Sequence, residues 1–64
     1  MPVDLAELSS LSATLSEVTK RISSLADRAV AAKDEDTTAV LHGVERALVG
    51  AGRRLDRLLR DQGR

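Results

Sequence analysis

Residues 34–45 read DEDTTAVLHGVE, and four of them could hold a cation. Asp34, Asp36 and Thr38 offer oxygen at alternate positions, and Glu45 adds a carboxylate further on. Oxygen-rich sets of this kind suit hard divalent ions such as calcium. His42 and Glu45, three apart, would face one way on a helix and could act as a pair of metal ligands. A second group lies in GRRLDRLLRDQGR, where Arg53, Arg57, Arg60 and Arg64 could grip phosphate or an acidic protein surface. Catalysis finds no such grouping. There is no Cys or Tyr, only one His, and no serine with a base placed beside it by the pattern. An enzyme is not expected.

The twelve residues from Asp34 to Glu45 resemble the calcium loop of EF-hand proteins. Oxygen ligands fall at the first, third, fifth and twelfth positions as Asp34, Asp36, Thr38 and Glu45, with Leu41 at the apolar eighth. The resemblance implies a calcium-responsive hairpin. It departs at the sixth position, where Ala39 replaces the glycine of the left-handed turn at a cost of about 1–2 kcal/mol. Flanking aromatic residues are also missing. The competing reading makes the acidic knot a helix cap, so no metal or cofactor is expected. His42 falls outside the apolar seams described below, and no seam position carries the inward carboxylates of a di-iron bundle.

Positioning these groups is the task of a small chain. Sixty-four residues make one domain, near the size where a single core barely suffices. Without Phe, Tyr, Trp or Cys, that core must be aliphatic and unaided by disulfides. Ten basic and ten acidic residues cancel, which gives no overall field toward nucleic acid or an anionic membrane. No apolar run is long enough to cross a bilayer, and MPVDLAELSS lacks a signal pattern, so a cytoplasmic location is expected. The preference for Ala, Leu and Arg over Lys points to a high-GC bacterial source.

Two helical seams organise the chain. Asp4 is a good N-cap, with Glu7 placed as in a capping box and Val3 and Leu8 as a hydrophobic staple. Leu8, Leu11, Leu15, Val18, Ile22, Leu25, Ala29 and Ala32 then recur at spacings of three and four, a heptad seam with Leu8 at position a. Leu41, Val44, Leu48, Ala51, Leu55 and Leu58 form a second seam with Leu41 at a. The nine steps from Ala32 to Leu41 rotate a helix by about 900°, which would place the second seam opposite the first. A turn removes that conflict. The sequence therefore predicts an all-α, antiparallel, coiled-coil-like hairpin in one domain spanning 1–64. Helix 1 covers about 4–33, a turn about 33–37, and helix 2 about 37–62. The turn lacks Gly and Pro, but Asp34 or Asp36 can cap the second helix.

Leu5 and Ala26 in the first helix, and Val40, Ala47 and Leu59 in the second, widen the apolar stripes beyond strict a and d positions. Four-helix bundles carry such stripes, so a homodimer is expected to complete the fold. Gly43, Gly50 and Gly52 leave one side of helix 2 smooth, suited to a close crossing or to a bend. The expected function is protein–protein interaction, as an adaptor, assembly factor or regulatory subunit that contacts itself and another protein. Gly43, Val49, Gly50, Arg53, Arg57 and Arg60 form the candidate partner face. The alternative is a nucleic-acid-associated regulator using the arginine end, and the third reading is the calcium-responsive hairpin. No membrane partner is expected.

Overall fold

The computed structural model describes residues 4–62. Two helices, α1 (Leu5–Ala31) and α2 (Glu35–Gln62), fold back on one another as an antiparallel hairpin. The hairpin measures 46 × 16 × 14 Å. Asp4 caps α1, its carboxylate accepting the Glu7 N–H at 3.0 Å. The Val3 half of the staple, and Arg64, lie outside the described residues.

The connection is tighter than the sequence predicts. Asp34, rather than Asp36, caps α2: Oδ1 accepts the Thr37 N–H at 3.1 Å and Oδ2 accepts the Thr37 hydroxyl at 2.7 Å. Only Ala32, Lys33 and Asp34 therefore separate the helices. The end of α1 is closed by two backbone bonds, Asp34 N–H to the Ala29 carbonyl and Lys33 N–H to the Val30 carbonyl, each 3.0 Å. This pair is a Schellman closure, which normally places glycine in the left-handed residue. Here Lys33 takes that conformation, at φ 59°. The strain costs on the order of 1 kcal/mol, and the two carbonyl bonds and the cap on α2 offset it.

The helices meet through a different pair of rows from the one the spacing suggests. Leu8, Leu15, Ile22 and Ala29 at a face α2, as expected, and Leu41, Leu48 and Leu55 return the contact. The second contacting row, however, is e rather than d. Ser12, Thr19 and Ala26 in α1, and Glu45, Gly52 and Leu59 in α2, are half-buried or buried. Ala26 is 1% exposed, whereas Leu11, a d residue, is 52% exposed. Val18, Leu25, Val44 and Leu58, assigned to the seam by the heptad spacing, are also exposed. The physical reason is the short turn. Three residues hold the helices close from the first turn onward, and close approach requires small side chains between the axes. From residue 12 to 26 the e row of α1 supplies Ser, Thr and Ala, while the d row would insert Leu or Val; Leu5, the e residue at the open end, stays exposed. Gly52 serves the same end from α2, sitting 3.9 Å, measured from where a Cβ would be, from the Leu15 methyl.

The hairpin core is accordingly thin. Among the described residues, only Leu8, Ala26 and Ala29 are buried. The helix α2 passes without interruption through Gly50-Ala51-Gly52, so the glycines do not fray it.

Candidate interaction surface

Using a and e as the inner rows divides the outside of the hairpin into two unlike faces. On one side the b and e rows of both helices come together. Ser12 donates to Asp56 across the helices at 2.9 Å, and Ser9, Ser16 and Thr19 line a shallow groove there with Val49 and Gly52. In an antiparallel pair, rows that share one side leave their counterparts on the other. The d rows of α1 and α2 therefore both lie on the opposite face.

That second face is apolar. The register follows from two contacts, Ser12 with Asp56 and Leu15 with Gly52. Carried along the hairpin, it brings Leu11 roughly level with Leu58, Val18 with Ala51, and Leu25 with Val44. Each of these residues is exposed. The stripe runs most of the length of the molecule, flanked by Arg21 and Arg28 on α1 and by Ala47 and Arg54 on α2. The two d rows, which sequence spacing joins into the hairpin seam, thus form an outward surface. The signal that could have revealed this is the smallness of residues 12, 19 and 26.

The other candidate groups are placed apart. Asp34 is engaged as a cap, and hydrogen bonds from the Thr37 hydroxyl and then its backbone N–H hold its carboxyl below the usual aspartate value. Thr38 turns its hydroxyl to the Asp34 carbonyl at 2.8 Å. Asp36, Thr38 and Glu45 lie on the continuous helix α2, with Glu45 at the helix interface. Where the EF-hand pattern calls for an open loop, helical backbone runs instead, and it carries Glu45 about 16 Å along the axis from Asp34. Among the described residues, no three His, Cys, Asp or Glu side chains are grouped to hold a metal. His42 is exposed and Glu45 half-buried.

The smooth side of α2 divides as well. Gly43 and Gly50 look away from α1, with nothing within 4 Å of a side chain placed there. Val49 and Arg53 border the serine-lined groove. Arg57 and Arg60 are exposed on the outer side. These residues form a curved strip, not a single flat patch.

Fold and surface define an all-α helical hairpin, and no described helix is long and apolar enough to cross a membrane. No protein-family model matches the chain, and no curated protein or solved structure matches it significantly.

Proposed function

We propose that the chain is a small, non-enzymatic protein–protein interaction module, an adaptor, assembly factor or regulatory subunit that works through a helical surface. The observation that carries this reading is the exposed d stripe of Leu11, Val18, Leu25, Val44 and Leu58. Apolar side chains aligned over two helices at heptad spacing match the surface that a further pair of helices would cover.

Shape supports the same conclusion. The hairpin exposes 5139 Å², whereas a compact monomer of this mass exposes roughly 4,000 Å². Its radius of gyration is 14.7 Å, against about 11 Å for a compact domain of this length. The excess surface, on the order of 1,000 Å², is comparable to one partner's share of a standard interface. Association with a second copy into a four-helix bundle removes it at least cost in sequence, since the same residues serve on both sides.

Sedimentation equilibrium on the purified chain tests the reading. The expected result is twice the chain mass at micromolar concentration, and association that persists in high salt because the contact is apolar. A helical monomer at every accessible concentration would overturn it.

A further inference from the structure

We infer that the occupant of the apolar face is a second copy of this chain, and that it packs with its turn at the opposite end of the bundle. The inference rests on the interaction-surface reading above and deepens it by fixing the orientation of the second copy.

The charges bordering the face decide the orientation. Each d row is edged by the g row of its own helix. Along α1 that row runs Glu7, Thr14, Arg21, Arg28, and along α2 it runs Val40, Ala47, Arg54, Asp61. The register from Ser12–Asp56 and Leu15–Gly52 places Glu7 and Asp61 level at the end remote from the turn. The face is therefore acidic at that end on both edges. Toward the turn it is basic on the α1 edge, at Arg21 and Arg28.

Two face-to-face dimers satisfy two-fold symmetry. With both turns at one end, α1 of each copy lies over α2 of the other. Glu7 then meets Asp61 of the second copy, and this contact of like charges occurs twice. With the turns at opposite ends, α1 lies over α1 and α2 over α2. Glu7 then meets Arg28 of the second copy, also twice. Thr14 faces Arg21, and Ala47 faces Arg54, so no like charges are opposed.

The apolar residues fit the second arrangement equally well. Leu11 comes opposite Leu25, Val18 opposite Val18, Val44 opposite Leu58, and Ala51 opposite Ala51. The apolar contact therefore supplies association without setting its direction, while the edge charges set direction, as charged flanking positions do in coiled coils.

The chain contains no cysteine, so a single label site can be introduced cleanly. Glu35→Cys lies beside the turn at an exposed position in the first turn of α2. Spin labels there, measured by double electron–electron resonance, are expected to lie apart by nearly the 46 Å length of the hairpin. A dimer whose labels lie at less than half of that length, as turns at one end would place them, would overturn the orientation while leaving the apolar face as an interface. A chain that stays monomeric would overturn the interaction-surface reading and this inference together. A second variant gives an independent sign. Glu7→Arg is expected to weaken the dimer several-fold, because the introduced guanidinium would meet that of Arg28 in the second copy. Tighter association would instead mean that residue 7 lies near Asp61 of the second copy, and would overturn the proposal.

Discussion

Substitution of Val18 by Asp should separate association from the folding of the hairpin. Val18 sits at the centre of the outward face and is 39% exposed, so its remaining surface is available only to a partner. Full burial of a valine side chain contributes roughly 1.5–3 kcal/mol, and the uncovered share is therefore about 0.6–1.2 kcal/mol per copy. Two copies contribute in a dimer, so losing the valine alone should cost about 1–2 kcal/mol, or roughly a 6- to 30-fold rise in Kd. Aspartate adds the desolvation of two carboxylates brought close to each other, which is larger still and should drive the chain to monomer at concentrations where the proposed dimer forms. Sedimentation velocity over a concentration series reads the association, and circular dichroism at matched concentrations reads the helix. Val18→Ala provides a milder control, since it removes most of the contact while slightly favouring the helix. Unchanged association in Val18→Asp would refute the assignment of the d stripe as the interface, whatever its effect on helicity.

Three further substitutions probe the hairpin itself. Ala26→Leu, at the most deeply buried of the core residues, should destabilise by about 1–3 kcal/mol through overpacking; a thermal melt that does not fall would mean the e row is not the close contact. Lys33→Gly should stabilise by about 0.5–1 kcal/mol, as glycine takes the left-handed closure without a Cβ penalty but gains freedom when unfolded. Urea unfolding measures this, and a destabilised variant would show that φ at residue 33 is not left-handed. Asp34 has a carboxyl held below its unfolded value, so its contribution is complete above about pH 4 and is lost as pH falls through the lower, folded value. Asp34→Asn keeps a good cap at neutral pH and should lose that part of the acid dependence. An acid limb identical to the parent's would count against the Asp34–Thr37 cap.

The helices and their direction were readable because they depend on local chemistry. Asp4 and Asp34 offer side-chain acceptors where a helix leaves N–H groups unpaired, and the phase shift between Ala32 and Leu41 demands a break. The absence of aromatic residues and cysteine likewise restricts the core to aliphatic residues before any packing is known. The ends of the turn were less legible, since Asp34 and Asp36 are equally able to cap. The choice fell to Asp34, with Lys33 accepting a left-handed backbone in place of the missing glycine. The partition of the apolar residues could not be read from spacing at all. A heptad pattern ranks a and d as the seam by hydrophobicity, but it carries no information on how closely two axes approach. The three-residue turn brings them near enough that Ser12, Thr19, Ala26 and Gly52 fit between the helices and Leu11, Val18 and Leu25 do not. Sequence alone thus determined that this chain makes two amphipathic helices with more apolar surface than one pair can hide. Tertiary structure decided which part of that surface stays outside, because steric fit between neighbouring axes, rather than hydrophobicity, selects the inner row.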